Sequence, residues 1–307
     1  MKLSLSIIAA LLLCGTSSAT DVLRGTSIRV ASVYLTPDTS SAKLADVDRG
    51  REIIILESSG EWFHVEAVLT EEKTITGWML SKGVVQGSTP NGDSILFGEA
   101  VEAEEQGSLR HGRRGAAQDA LRLYYRTAEY FPHSPLAGEA MYRSADIRWQ
   151  IDKAEVMTRP SAHEKEAFLR GGMDEDFMKE VIKKFPGTKW ADLAAFHLIE
   201  NKLCGDWEGA SKCPEKEAEM YEKYAADHPQ SPTLIEALYD AAWRRSALIE
   251  IYKTETQAKK SDESKAKAIA LLLRATAQPS QNDWGARAQR LLFMIGQGIP
   301  TYGNGND

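Results

Sequence analysis

The chain of 307 residues has 43% hydrophobic and 26% charged residues, a composition that excludes a disordered or collagen-like protein. At about 100–200 residues per domain, this length indicates two domains that each bury a core. The formal net charge of -7 repels phosphate backbones, so we expect no nucleic acid partner.

Residues 1–19 have the features of a secretory signal peptide. One basic residue precedes the apolar segment Leu3–Leu13, and small residues occupy positions 17–19, where signal peptidase acts. The apolar segment is shorter than the about 20 residues that cross a membrane. We therefore predict cleavage after Ala19 and a periplasmic or secreted protein.

A lipoprotein signal is the alternative for the same segment. The residues from Leu11 to Gly15 resemble a site at which Cys14 is acylated and becomes the new N-terminus. This resemblance implies an outer-membrane lipoprotein, in which membrane contact depends on the lipid at Cys14. In the secreted alternative no membrane contact is expected.

Residues 28–85 contain short segments rich in β-branched and aromatic residues, separated by turns. The segments are Ile28–Val30, Ser32–Leu35, Leu44–Val47, Ile53–Leu56, Trp62–Val68 and Gly77–Leu80. The turns between them include Pro37-Asp38, Arg49-Gly50 and Ser58-Ser59-Gly60. This spacing predicts a small all-β barrel or sandwich.

The same region resembles the bacterial SH3 domain family over residues 26–86. The resemblance rests on the segment 33–41, on the Gly-Glu-Trp motif at 60–62 and on the Gly-Trp-Met motif at 77–79. It implies a cell-envelope module, an SH3-like barrel that binds peptidoglycan peptides or protein segments.

Three aromatic residues of this region, Tyr34, Trp62 and Trp78, are candidate ligand-binding residues. Aromatic side chains offer a large apolar area at a small entropy cost. Tyr34 stands at the edge of the Pro37 turn and is expected to be exposed. For both tryptophans the alternative is a place in the barrel core.

Residues 87–115 interrupt the strand pattern with turn residues, an acidic cluster and a basic cluster. This composition predicts a linker between two separately folded domains. Within it, the Gly-Asp-Ser-Ile segment at 92–95 resembles the nucleophile motif of a serine esterase family. That family also needs an Asp-x-x-His motif, which the sequence lacks, so we predict no catalytic site.

From residue 116 onward the sequence indicates repeated helix–turn–helix units. Three turns share one form: Phe131-Pro132-His133-Ser134-Pro135, Phe185-Pro186-Gly187-Thr188-Lys189 and His228-Pro229-Gln230-Ser231-Pro232. In each turn a Ser or Thr follows the first proline and is a suitable N-cap for the next helix. A small and then an aromatic residue follow at fixed offsets, namely Ala140 and Tyr142, Ala194 and Phe196, and Ala237 and Tyr239. A degenerate fourth unit has Asn282 as its cap, followed by Trp284 and Ala288.

Residues 116–296 resemble tetratricopeptide-like repeats, most closely those of the outer-membrane assembly lipoprotein family. The resemblance implies an all-α solenoid that binds a partner protein in a curved groove. By analogy, the basic residues Arg122, Arg126 and Lys179 of the first helices are candidate groove residues. Residues 297–307 are predicted to be a C-terminal tail.

Two cysteines, Cys204 and Cys213, remain after cleavage of the signal peptide. An even number of cysteines in an oxidising compartment predicts a disulfide between them. The six histidines have no metal-ligand spacing, so we expect neither a metal nor a cofactor.

Together these patterns predict a two-domain α+β protein, a small all-β SH3-like barrel followed by an all-α tetratricopeptide-like solenoid. We expect a non-enzymatic scaffold or adaptor of the cell envelope, whose partners are envelope proteins or peptidoglycan peptides. Two alternatives are an assembly-type lipoprotein anchored through Cys14 and the targeting subunit of a peptidoglycan-processing enzyme.

Overall fold

The computed structural model describes residues 22–164, 166–279 and 282–303. The chain has a mixed α+β fold, in which a curled half-barrel sheet at the N-terminus precedes a helical region. The signal peptide and Cys14 lie outside the described residues. Within those residues, no helix is both long enough and apolar enough to cross a membrane.

The sheet has seven antiparallel strands in the order β3-β2-β6-β5-β4-β1-β7. The strands are β1 (Arg24–Ser27), β2 (Ala31–Tyr34), β3 (Lys43–Val47), β4 (Glu52–Ser59), β5 (Trp62–Thr70), β6 (Lys73–Leu80) and β7 (Val84–Gln86). Its inner face is a small apolar core of Val33, Val47, Ile53, Ile55, Val65, Ala67 and Met79. These residues alternate with outward-facing neighbours, as the pleat of a strand requires.

Gly77 allows β2 to pack closely on β6. A Cβ atom at this position would lie 2.6 Å from the backbone oxygen of Tyr34 and 2.7 Å from a methyl group of Val33. Any larger residue would force the two strands apart. The glycine thereby brings Tyr34 next to Trp78, its partner across the strands.

The helical region contains ten α-helices among the described residues and a short 3-10 helix at Pro160–His163. The α-helices are α1 (Gly92–Ser108), α2 (Ala116–Tyr130), α3 (Ala137–Val156), α4 (Ala167–Arg170), α5 (Asp176–Lys184), α6 (Lys189–Glu200), α7 (Lys212–Asp227), α8 (Leu234–Thr254), α9 (Ala258–Thr276) and α10 (Asp283–Gly296). Two large apolar clusters form its core, one from α1 to α6 and one from α6 to α10.

Helix α1 occupies most of the segment 87–115, for which the sequence predicts a linker. Leu96, Ala100 and Ala103 are spaced as one face of a helix, and each is at most 1% exposed. They pack in the same cluster as residues of α2 and α3. Two of these three residues are alanines, which are only weakly hydrophobic. The apolar periodicity of α1 is therefore difficult to recognise in a sequence segment that has many charged residues.

The sheet also packs directly on the helices instead of being separated from them. Val85 of β7 belongs to the same apolar cluster as Leu96 and Leu123. The Tyr130 hydroxyl donates a hydrogen bond of 3.0 Å to the backbone oxygen of Gly25. Sheet and helices therefore share one core at this boundary, whereas the sequence predicts two separately folded domains.

Glycine at position 50 is required by the same boundary. Gly50 has a φ of 72°, and a Cβ atom there would lie 2.6 Å from the Cβ of Arg122. Both the left-handed conformation and the close approach of α2 exclude a larger residue.

The helix caps agree with the sequence in part. The side chains of Thr188 and Asn282 accept hydrogen bonds from backbone amides of α6 and α10, as predicted. Ser134 and Ser231 instead bond the amide two residues later, before α3 and α8 begin.

The small residues at the repeated offsets are fully buried, as their register predicts. Ala140, Ala194, Ala237 and Ala288 are each 0% exposed. The aromatic residues beside them are half-buried and contact the following unit. Tyr142 stacks on Trp190 at 5.6 Å, and Tyr239 lies 5.4 Å from Trp284.

The C-terminal segment folds back on the helices. Tyr302 lies 5.6 Å from Trp207, and the Thr301 hydroxyl bonds Ser246 of α8 at 2.9 Å. The described part of the predicted tail is therefore attached to the helical core.

Candidate functional site

An aromatic surface lies on the outer face of β2, β5 and β6. It consists of Tyr34, Trp62, His64 and Trp78, all partly exposed. The intervening residues Val33, Val65 and Met79 point inward and are 0% exposed. Since successive residues of a strand face opposite sides, the buried core fixes the outward direction of the four aromatic rings.

The rings contact one another in two pairs. His64 and Trp78 are partners across β5 and β6, and their rings stack at 4.9 Å with an angle of 23°. Tyr34 meets Trp62 edge-on at 5.9 Å. Leu80, the cross-strand partner of Trp62, is 36% exposed and extends the apolar area. The rings are held by each other and by the strands.

The polar atoms of this surface are available to a ligand. The Tyr34 hydroxyl and the indole nitrogens of Trp62 and Trp78 make no hydrogen bond with another described residue. An aromatic ring with a polar edge can pack on an apolar group and hydrogen-bond beside it. The aromatic surface therefore combines apolar area with unused donors.

The structure brings together the three aromatic residues that the sequence predicts as a site. Both tryptophans lie outside the core cluster of the sheet, so the alternative place in the core is wrong. His64 is an addition that the sequence analysis missed. Its spacing of two residues from Trp62 on one strand is the signal that places it on the same face.

The predicted groove residues separate into two places. Arg122 and Arg126 of α2 lie against the sheet, where Arg122 donates a hydrogen bond of 2.8 Å to the Arg49 backbone oxygen. Lys179 on α5 is exposed and pairs with Glu175 at 3.0 Å. The structure therefore brings two of the three residues together, at the boundary between sheet and helices.

The predicted disulfide between Cys204 and Cys213 is present, with a Cα–Cα distance of 6.1 Å. Glu217 supports the cysteine loop: its side chain accepts hydrogen bonds from the Cys204 amide at 2.8 Å and from the Trp207 indole at 3.3 Å. Its other oxygen accepts a bond of 2.7 Å from Arg244. Helices α7 and α8 thereby fix the loop that the disulfide closes.

The segment that resembles an esterase motif has a structural role. Asp93 accepts a hydrogen bond of 2.6 Å from the Ser134 hydroxyl, which lowers the pKa of Asp93. Ser94 is exposed in the first turn of α1. Asp93 thereby connects the start of α1 to the turn between α2 and α3.

The chain matches no protein-family model and no curated protein sequence. Among solved structures, the DHF79 filament is 15% identical, with a TM-score of 0.23, and covers 66% of this chain and 99% of its own. The DHF58 filament is 17% identical, with a TM-score of 0.24, and covers 67% of this chain and 91% of its own. Similarity at this level carries no argument about fold or function.

Proposed function

We propose that the protein is a non-enzymatic scaffold of the cell envelope, and that its N-terminal sheet is an SH3-like barrel that binds peptidoglycan peptides. The observation that carries this proposal is the aromatic surface of Tyr34, Trp62, His64 and Trp78. Partly exposed rings in fixed contact, with unused polar atoms, are typical of an interaction site in a soluble protein.

The physical properties of the aromatic surface favour a peptide as the ligand. Two tryptophans and a tyrosine provide rigid anchors for apolar side chains, at a low cost in conformational entropy. Free indole and hydroxyl groups can pair with the backbone oxygens of an extended chain.

Export from the cytosol is supported by the disulfide. Cys204 and Cys213 are joined, and structural disulfides form and persist mainly in oxidising compartments such as the periplasm. This supports the periplasmic or secreted location that the signal peptide predicts. A lipid at Cys14 remains the alternative mode of attachment.

The helical region is proposed to be a tetratricopeptide-like solenoid that binds a partner protein of the envelope. The support is the register of its units, because Tyr142 and Tyr239 contact the tryptophans at the start of the following units. Contacts between neighbouring repeats are the source of stability in such arrays.

Cosedimentation of the mature protein with purified peptidoglycan tests the proposed function. We expect the wild type to bind and Trp78→Ala to bind at least tenfold more weakly, because truncation of an aromatic anchor costs about 2 kcal/mol. Phe293→Ala is the matched control, since Phe293 is an aromatic residue of α10 that is 62% exposed. Equal binding by the wild type and Trp78→Ala would contradict the proposal, as would no binding by the wild type.

A further inference from the structure

A cleft separates the outer face of the sheet from helix α2, at the end of β5 away from Trp62. It has a volume of about 240 Å³ and is lined by Arg51, Glu52, Ile54, Glu66, Val68, Arg122 and Arg126. Three of these side chains are guanidinium groups, and two of them belong to α2. The cleft exists only because the sheet packs on the helices.

Neighbouring residues hold the guanidinium groups in place. Arg51 donates a hydrogen bond of 3.1 Å to the backbone oxygen of Val68. Arg122 donates to the backbone oxygen of Arg49 and pairs with the buried carboxylate of Asp119. The cations are therefore positioned before any ligand arrives, which reduces the entropy cost of binding.

One donor of the cleft is left without a partner. The Nε atom of Arg126 is buried and makes no hydrogen bond with another described residue, although the same side chain pairs with Glu129 and lies 3.8 Å from Glu52. A buried N–H group without an acceptor destabilises a protein. This Nε atom is shielded from solvent, so a ligand oxygen would instead contact the exposed 18% of the Arg126 side chain.

The charges of the lining favour a ligand with one negative charge over a ligand with two. Three arginines and two glutamates line the cleft, and Asp48, Asp119 and Glu129 pair with the three arginines from outside it. Burial lowers the pKa of Arg122, and Arg51 lowers it further while Asp119 opposes both. A ligand carboxylate would share the guanidinium groups with these carboxylates, whereas a dianion would be repelled more strongly by Glu52 and Glu66.

The apolar part of the lining adds a second requirement. Ile54 and Val68 lie beside the charged groups, and Val68 is 54% exposed. A carboxylate joined to an apolar group would satisfy both the arginines and this wall. Arginine also matches the planar geometry of a carboxylate, with two parallel hydrogen bonds.

The cleft and the aromatic surface lie on one face of the same strand. Trp62, His64, Glu66 and Val68 alternate along β5 with inward-facing residues. At about 3.4 Å per residue, the four steps from His64 to Val68 span about 14 Å. An extended peptide of about four residues has the same length.

We propose that the cleft binds the C-terminal carboxylate of an extended peptide whose apolar side chain rests on the aromatic surface. This inference rests on the proposed function for the peptide nature of the ligand. The arginines of the cleft recognise the charge of the carboxylate and thereby fix the direction in which the peptide binds. The aromatic surface provides the apolar contact at the other end of the peptide.

Nuclear magnetic resonance of the full mature chain tests the inference with N-acetyl-Trp-Ala-Ala-Ala as the probe. The Nε–Hε signals of Arg51, Arg122 and Arg126 report on the cleft, and the indole signals of Trp62 and Trp78 report on the aromatic surface. We expect the free acid to shift both sets and to bind at least tenfold more tightly than its C-terminal amide. Equal binding of acid and amide would overturn the inference, and so would inorganic phosphate binding as tightly as the acid.

Variants separate the role of charge from a loss of folding. Glu66→Gln removes a negative charge from the lining and is expected to strengthen binding of the acid about threefold or more. Arg126→Gln is expected to weaken it at least tenfold. Arg287→Gln, at a residue of α10 whose side chain is 55% exposed, is the matched control and should change nothing. Unchanged binding in both Glu66→Gln and Arg126→Gln would overturn the inference.

The two proposals fail in different ways. If Trp78→Ala abolishes binding while amidation of the probe and Arg126→Gln have no effect, the cleft inference is wrong and the aromatic surface remains. If Arg126→Gln and amidation abolish binding while Trp78→Ala has no effect, the cleft binds a carboxylate and the proposed role of the aromatic surface is wrong.

Discussion

Two arginine centres of this protein differ in how completely their hydrogen bonds are satisfied. Arg244 of α8 is 7% exposed, donates to Glu217 at 2.7 Å and to the Asp240 backbone oxygen at 3.1 Å, and lies over the Tyr221 ring at 4.5 Å. Arg126, at the cleft, has a buried Nε atom with no partner among the described residues. The first centre is closed by the protein itself, whereas the second borders an open cleft.

This contrast distinguishes a structural ion pair from a binding site. A buried arginine whose donors are all paired contributes to the fold, and loss of its partner leaves a charge without compensation. An arginine that lines an open cleft beside an apolar wall contributes less to stability and more to recognition. Mutations at the two centres should therefore act on different quantities.

The largest expected effect is at the closed centre. Glu217→Ala removes the partner of Arg244 and the acceptor of two further donors, so we expect a loss of about 3–5 kcal/mol in the free energy of unfolding. Chemical denaturation followed by circular dichroism measures it. Glu263→Ala is the matched control, because Glu263 is 58% exposed and its Lys259 partner is 3.9 Å away. A loss below about 1 kcal/mol for Glu217→Ala would show that the two centres do not differ in this way.

The second largest effect on stability is expected from the disulfide next to the closed centre. Replacing Cys204 and Cys213 by serine opens a loop with a sequence separation of 9 residues, and the chain-entropy model gives about 2.7 kcal/mol for a loop of about ten residues. We expect this loss in the free energy of unfolding. Adding reductant to the wild type should cause the same loss of stability. If reductant also destabilises the double variant, the effect of the reductant has a cause other than this disulfide.

A third effect depends on pH and concerns Glu236 of α8. Burial, together with Asp240 and Asp283, raises the pKa of Glu236 to about 7. The folded protein therefore holds this proton more tightly than the unfolded chain, so stability is lost as pH rises from the ordinary value of about 4.5 through 7. Glu236→Gln should be more stable than the wild type at pH 8 by no more than about 1 kcal/mol, since solvent screens this half-exposed group.

Thermal unfolding at pH 4 and pH 8 checks the sign of that effect. The two proteins should unfold at the same temperature at pH 4, where the carboxyl is protonated in both states. A stability gain for Glu236→Gln that is larger at pH 4 than at pH 8 would contradict the expected direction.

The smallest effect is expected at the open centre. Arg126→Gln removes partly exposed ion pairs and a donor that has no acceptor, so we expect a change of less than about 1 kcal/mol in the free energy of unfolding. The same denaturation measurement compares it with Glu217→Ala. A loss as large as that of Glu217→Ala would make Arg126 a structural residue and remove the contrast between the centres.

Local sequence patterns predicted much of the fold. The β-branched and aromatic residues around Val65 predicted the strand β5, and the repeated offsets gave the buried alanines, such as Ala194. The pairing of Cys204 with Cys213 followed from their number and the predicted compartment. In each case the signal lies in short segments, in their repetition or in a count of residues, and it needs no knowledge of the tertiary contacts.

The remaining features depend on contacts that no short segment contains. Helix α1 was not predicted from the sequence, because its apolar face consists largely of alanines such as Ala100 and Ala103 and the segment has many charged residues. The cleft needed Arg51 from the turn before β4 and Arg126 from α2, which are far apart in the chain. Their approach is fixed by Gly50 and by the packing of β7 on the helical core.

The shared core of sheet and helices has a mechanical consequence. A flexible linker would act as an entropic spring and extend under small forces. Here β7 is hydrogen-bonded to β1, while Val85 is embedded among α1 and α2. Tension between a ligand held by the sheet and a partner held by the helices would therefore load packed side chains and the β1–β7 hydrogen bonds, so that the joint transmits force with little extension until it ruptures.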